Sequence, residues 1–369
     1  MSHSPFVADL SAPLVASPRV WELASGVDAL YLSGWAELPD SLLSRLEVAK
    51  KRARLSGAPV SFSFGGIEFG LLPYGMQKYQ YWLSHEWGAL GVTASMALPP
   101  LRWQPRSEFL QGLGVESSVD AIHTMLEAEV GLHRFGVSRV DLFSDWQGWP
   151  VGWADEGRFV RRARHLAADV EGEGWTGFTF GRRTSGSIGG RIYDKTAEIA
   201  AGKGNPMWFE IWKERYVPDR QVIRVEFEFH RKSLAKEFGL DTPKDVLSNL
   251  GGLWGHATEK WLTHREPAED SIRSRWPLSV AWQTIQHPSL RNHAIGLKRT
   301  TGGKAQAKLE NILPVLRGCF TSASAQWGAD GMVEGLSRFA SYLHAWELAT
   351  GRSVDGEIAA KRQRKDWGL

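Results

Sequence analysis

Between residues 21 and 232, short runs of alternating apolar and polar positions recur, broken by stretches of helical period. Beyond about 233 the alternation stops. "GVDALYLSGW" (26–35), "PVSFSFGGIEFGLLPYG" (59–75) and "YQYWLSHEWGALGVTAS" (79–95) read as strands joined by turns, since strand side chains switch faces at every residue. "DSLLSRLEVAKKRARLSG" (40–57) and "SSVDAIHTMLEAEVGLHRFG" (117–136) carry apolar residues three and four apart and stop at glycine, which predicts helices. Then come a strand "SRVDLFSDW", a helix around "GRFVRRARHLAADV" (157–170), the pair "GFTFGRR" and "GRIYDK", and a strand "QVIRVEFEFHRKS". "SLAKEFG", "TPKDVLSNLGGLWGHATEKWLTHR", "QAKLENILPVLRGCFTSASAQWG" and "DGMVEGLSRFASYLHAWELATG" are helical in period. The expected organisation is an N-terminal arm over 1–20, an α+β domain over 21–232 with helices on one face of an antiparallel sheet, and an α-helical domain over 233–369.

Composition adds limits. The 369 residues are 43% hydrophobic and 23% charged, as in a globular protein, and no stretch is long and apolar enough to span a bilayer. The N-terminus lacks the basic-then-apolar order of a secretory signal, so a cytoplasmic location is expected. One cysteine, Cys319, leaves no internal disulfide and no multi-cysteine metal site. It reads as a small buried side chain in a reducing compartment. Net charge is only +3, but from Ser271 to Leu309 there is no Asp or Glu, while Arg273, Arg275, Arg291, Lys298, Arg299, Lys304 and Lys308 fall there. That window is a candidate polyanion surface, against the plainer reading of a solvated loop region. The 18 tryptophans are mostly core by their size; some would suit stacking on unpaired bases, and the sequence does not say which.

Alternation gathers chemistry onto one sheet face. In "SRVDLFSD", Arg139, Asp141, Phe143 and Asp145 point away from Val140 and Leu142. In "GRIYDKT", Arg191, Tyr193 and Lys195 oppose Ile192. In "VIRVEFEFHRK", Arg224, Glu226, Glu228 and His230 oppose Val225, Phe227 and Phe229. Carboxylates on neighbouring strands suit a hard cation such as Mg²⁺ or Mn²⁺. Cations beside Tyr193 would lower its pKa and ready it as a nucleophile toward phosphate. The competing reading is an ordinary solvated sheet face with cross-strand ion pairs.

The order "RVDLFSD", "GRRTSG…RIYDKTAE", "RVEFEFHRK" resembles the replication-initiation-factor (Rep_trans) family, which includes rolling-circle initiators of plasmids and filamentous phages and some conjugative relaxases. The resemblance covers about 130–235 and implies a duplicated RRM-like sheet related to the HUH endonucleases, although no His-hydrophobic-His motif is present. It implies that Tyr193 nicks one DNA strand, forming a 5′-phosphotyrosine and a free 3′-OH. Arg191, Asp194, Lys195 and Glu198 match the positions around the nicking tyrosine, with Asp141 and Glu226 as metal ligands and Arg224 as a supporting basic residue. Glu228, as a further metal ligand, and Asp145 and His230, as supporting groups, rest more on alternation. The basic window, with Arg182 and Arg183, would hold origin DNA, double- and single-stranded. A host helicase and polymerase are the implied partners, and a homodimer would supply a second tyrosine. The alternatives are a conjugative relaxase and a non-catalytic origin-binding protein of the same fold. Tyr79 and Tyr81 in "KYQYW", a conceivable paired-tyrosine site, read instead as strand residues, and the histidines of "LWGHATEKWLTHR" as ordinary core or surface groups.

Overall fold

The structure, a computed structural model, describes residues 20–172, 174–182, 187–293, 320–321, 323–325, 327–351 and 353–363. The expected arm up to residue 19, Arg183, Lys298, Arg299, Lys304, Lys308 and Cys319 lie outside the described residues. The chain forms two compact units, each discontinuous. The first unit takes Met1–Asp28, Val140–His230 and Ser248–Leu297, and the second takes Ala29–Arg139, Arg231–Leu247 and Lys298–Leu369. These units interleave along the chain and are not the consecutive segments that the change of period at 232–233 suggested. Two long strands, β1 (Trp21–Trp35) and β7 (Arg134–Gln147), contribute to both.

In the second unit β2 (Val60–Phe64), β3 (Ile67–Leu71), β4 (Tyr81–His85), β5 (Gly88–Val92) and β6 (Leu101–Pro105) form an antiparallel meander that ends on β1. The β2–β3 hairpin turns on Gly65 and Gly66, both at positive φ (57° and 80°), the pairing that a tight turn between right-twisted strands requires. Helix α1 (Asp40–Ser56) buries Leu42, Leu46, Ala49 and Ala53 at three- and four-residue spacing and stops at Gly57, in the left-handed conformation. After α2 (Ser107–Leu113), α3 (Val115–Val130) ends at Gly131, earlier than the sequence pattern suggested, because Arg134 onward is drawn into β7. Tyr79 and Tyr81 are both buried; Tyr81 opens β4, whereas Tyr79 lies ahead of it in an isolated bridge with Met76 and not in the strand expected for it. Burial and a hydrogen bond to Glu47 push the Tyr81 phenol up to about 12.

In the first unit the sheet order is β1-β7-β12-β11-β10-β9, with β9 (Leu166–Glu171), β10 (Gly174–Phe180), β11 (Ile188–Asp194) and β12 (Ile223–His230); β9 to β12 pair antiparallel. The helix expected around 157–170 is absent. In its place are a 3₁₀ turn (Trp153–Arg158), β8 (Phe159–Arg161) and β9. Tertiary packing overrides the local period: the fully buried Phe159 sits against Phe178, Phe180 and Trp282, and β8 pairs with β13 (Leu262–His264). β13 also corrects the expectation of an all-helical region after 233.

Helices cover both faces of this sheet, not one. Phe227, on the apolar side of β12, packs edge-on to Trp254 of α7 (Leu250–His256) and to Trp261, in a following π turn (Ala257–Trp261). The polar side is covered too: α4 (Lys195–Ala200) follows β11, and α5 (Met207–Trp212) lays Trp208 and Trp212, four residues apart, over Arg224 and Asp145. α8 (Val280–Ile285) closes the unit behind β13. The second unit adds α6 (Pro243–Leu247), α9 (Met332–Thr350) and α10 (Val354–Gln363). The architecture is thus α+β with antiparallel sheets. Among the described residues no helix is long and apolar enough to cross a membrane.

Candidate active site

Backbone register brings the expected residues together. β11 and β12 pair Arg191 with Glu226 and Tyr193 with Arg224 directly across the ladder. On the other side of β11, Tyr193 faces Gly177 of β10. A Cβ at 177 would stand 2.8 Å from the Tyr193 Cβ, so the missing side chain makes the room in which the tyrosine lies. Gly177→Ala is therefore expected to push Tyr193 out of register with Glu226. Any activity that depends on the Tyr193 hydroxyl should then fall at least about tenfold, since a misplacement of about 1 Å costs on the order of 10²-fold. Activity measured beside the thermal unfolding midpoint would show whether the loss is local.

The Tyr193 hydroxyl donates to Glu226 Oε2 at 3.2 Å, and Arg191 pairs with Glu226 Oε1. The Arg191 guanidinium lies 5.3 Å from the centre of the Tyr193 ring, and Lys195 Nζ lies 5.7 Å from it. Cations thus flank the ring, and a carboxylate holds its hydroxyl. Lys195 is not a strand residue, since it opens α4, but it is buried here and paired with Glu198.

The electrostatics reverse one expectation. Burial, followed by the charge of Glu226, pushes the Tyr193 phenol well above its ordinary value, outweighing Arg224 and Arg191. Glu226 itself is buried, which raises a carboxyl, yet Arg191 and then Arg224 hold it below the ordinary range. The pair at neutral pH is a protonated phenol hydrogen-bonded to a carboxylate, not a phenolate made by surrounding cations.

Arg224 and Asp145 form a fully buried ion pair with two contacts, 2.6 and 2.8 Å. Asp28 of β1 adds a third at 3.2 Å, and the guanidinium is sandwiched 4.3 Å from the Phe143 ring and 3.9 Å from that of Trp208. Trp212 Nε1 donates to Asp145 at 2.8 Å. Asp28, Trp208 and Trp212 were missed from the sequence. The available signals were a lone carboxylate inside an apolar strand and the i, i+4 tryptophans of "MWFEIW". Burial raises the Asp28 carboxyl more than Arg224 lowers it.

The remaining residues take plainer places. Asp194 caps α4, accepting from the Ala197 N–H at 3.0 Å, and His230 pairs with Glu228. Asp141 is buried and its charge acts on Arg191. The carboxylates expected to bind Mg²⁺ or Mn²⁺ are not assembled as a ligand set. Both oxygens of Glu226 are engaged by Arg191 and Tyr193, Glu228 faces His230, and among the described residues no three His, Cys, Asp or Glu side chains group to hold a metal ion. This donor arrangement does not fit a divalent cation as it stands.

A pocket of about 380 Å³ opens on the tyrosine, lined by Asp169, Glu171, Thr176, Thr179, Arg191, Tyr193, Asp194, Glu198 and Lys203. Arg191 and Lys203 supply its cations; its carboxylates and threonines can accept hydrogen bonds from exocyclic base amines. Within the expected basic set, Arg182 and Arg275 are exposed. Arg273 donates to the Gly157 carbonyl at 2.7 Å, and Arg275 stands 3.7 Å from Asp270. Arg291 donates to Gln286 O at 2.8 Å and pairs at 2.5 Å with Glu259, a carboxylate from outside the acid-free window.

A second polar constellation also lies in this unit. His264 contacts Asp155 at 2.9 Å and Ser279 at 2.7 Å, an Asp-His-Ser order. Ser279 is 2% exposed, caps α8 by accepting from Trp282 N–H, and the histidine ring is packed against Trp149 and Phe159. No substrate reaches that hydroxyl; the three side chains tie the 3₁₀ turn, β13 and α8 together.

No protein-family model matches the sequence, and no curated protein matches it. Among solved structures the chain is similar to the rolling circle replication initiator protein from Geobacillus stearothermophilus, at 14% identity and a TM-score of 0.42, over 71% of this chain and 94% of that one. A likeness of that size assigns neither a family nor a function.

Proposed function

We propose that the chain cuts and rejoins one DNA strand by tyrosine transesterification, as a rolling-circle replication initiator does. The observation that carries the reading is the Tyr193 hydroxyl donating to a buried, ionised Glu226 at the mouth of a pocket that also presents Arg191 and Lys203. In this reading the Tyr193 Oη attacks the scissile phosphorus as its proton passes to Glu226. The bond from phosphorus to the 3′-oxygen breaks, that oxygen takes a proton from water, and a 5′-phosphotyrosine remains. Arg191 and Lys203 offset charge building on the phosphoryl oxygens. The free 3′-OH primes synthesis and is consumed by extension; a second cleavage frees a new 3′-OH, whose attack on the phosphotyrosine releases the Tyr193 oxygen and reseals a strand without ATP.

The test is cleavage of an end-labelled single strand from the protein's own replicon, run with Mg²⁺, with Mn²⁺ and with a chelator, and resolved under denaturing conditions. A protein-linked DNA band supports the reading. Origin binding with no adduct under all three conditions would favour a non-catalytic origin-binding protein.

The titration directions give a pH prediction. A phenol raised in the fold keeps its proton where the unfolded chain has lost it, so stability is full below pH 10 and is lost as pH rises above that value. Glu226 has the opposite sign: its contribution is present above the ordinary carboxylate range and disappears as pH falls through its lower folded value. Unfolding midpoints measured from pH 9 to 12 (on the order of ordinary tyrosine titration) should fall more steeply for the native chain than for Tyr193→Phe. Equal slopes would show that Tyr193 titrates as an exposed phenol.

A further inference from the structure

In the second unit, Tyr31, Ser33 and Trp35 follow one another on one face of β1 by strand alternation, while Leu30 and Leu32 are fully buried on the other. The Tyr31 ring has two guanidiniums over it, Arg102 at 5.3 Å and Arg139 at 5.0 Å from its centre. Trp35 repeats the arrangement with Arg134 at 4.5 Å and Arg231 at 5.0 Å. Gly136 helps to seat the indole: a Cβ there would stand 3.3 Å from the Trp35 ring. Both rings are partly exposed, as are Arg102, Arg139 and Arg231, and Arg134 is exposed. Asp241 pairs with both Arg134 and Arg231, so one carboxylate answers two of these cations.

Two aromatic rings, each with two guanidiniums 4.5 to 5.3 Å from its centre, offer what unpaired bases and their phosphates require together. Bases stack on rings and on guanidinium planes, and the same arginines hold phosphate oxygens. A duplex keeps its base faces inside its own stack, so only a single strand can use the rings. We propose that this face of the second unit binds single-stranded DNA, with bases stacked on the Tyr31 and Trp35 clusters and phosphates on Arg102, Arg139, Arg134 and Arg231. The choice of DNA over RNA rests on the function proposed above; the stacking itself does not, and Tyr193 takes no part in it.

The experiment is binding of a fluorescent oligo(dT) of about 12 nucleotides to the full chain, beside an abasic strand of equal length. Tyr31→Ala and Trp35→Ala should each weaken oligo(dT) binding about 5- to 100-fold, and the native chain should bind the abasic strand more weakly than oligo(dT). An Arg102→Gln, Arg139→Gln double variant should flatten the log–log salt dependence by about 1.4, two single-strand phosphate contacts' worth. Oligo(dT) binding is read without any cleavage step, so failure to cut DNA would leave this proposal standing. Abasic and normal strands bound equally by the native chain, or ring variants that bind as tightly as it does, would overturn it and leave the stacks a purely structural role.

Discussion

Tyr193→Phe is expected to remove the covalent protein–DNA adduct, with a loss of at least about 10³-fold in strand cleavage. Only the hydroxyl is lost. The ring keeps its place over the Gly177 gap and its contacts with the Arg191 and Lys195 cations, and Glu226 keeps its ion pair with Arg191. Folding stability should fall by about 1–3 kcal/mol, the cost of leaving one oxygen of the buried Glu226 carboxylate without its donor. Denaturing electrophoresis of the labelled DNA reads the adduct directly. Its persistence in the phenylalanine variant would move the nucleophile elsewhere. Tyr81 is a poor substitute, being buried and hydrogen-bonded to Glu47 with its phenol pushed up to about 12.

The largest effect on stability is expected at Asp145. Asp145→Asn keeps the shape of the side chain but leaves the fully buried Arg224 with Asp28 as its remaining carboxylate partner. Breaking such a pair from one side costs roughly 3–5 kcal/mol, because the surviving charge is left in a medium that solvates it poorly. That is a large share of the roughly 5–15 kcal/mol by which folded domains are stable. Denaturant titration followed by tryptophan fluorescence is a direct readout, since Trp208 and Trp212 both touch this pair. The physical cause can be separated from simple loss of packing. Asp145→Leu combined with Arg224→Met removes both charges and should be more stable than Asp145→Asn alone. If the double variant is the less stable of the two, the pair stabilises the fold for itself and not merely through mutual neutralisation.

Much of the site was legible because a period of two has few competing readings. Arg191, Tyr193, Arg224 and Glu226 come together as alternation placed them, across one ladder. What alternation does not carry is the environment of a face. The polar side of β12 could be read as a solvated surface, yet Arg224, Glu226 and Glu228 are buried, Arg224 beneath Trp208, which the strands do not contain. Trp208 and Trp212 sit on a six-residue helix too short to announce itself by period, so neither the cover nor the raised phenol could be foreseen. The segment 157–170 failed for a related reason. Its apolar residues are spaced ambiguously, and strand pairing with β13 and β10, more than local preference, decides its form. Arg291 shows the limit of reading charge along a line: Glu259, distant in sequence, meets it in space.

The interleaving of the two units bears on how the molecule is made. Neither unit is complete when the first 232 residues have been synthesised: the first still lacks Ser248–Leu297, and the second lacks residues 233–247 and Lys298–Leu369. Trp254, Trp261 and β13, which pack behind the sheet that carries Tyr193, emerge late, and the first unit closes on itself across 267 positions where Ser289 meets Glu22. Contacts that distant in sequence slow folding and hold apolar strands open in the meantime. Ribosome-bound intermediates should therefore stay protease-sensitive until the chain has grown well past Trp282. Dissection at 232 should yield two insoluble pieces, whereas their co-expression could restore the site.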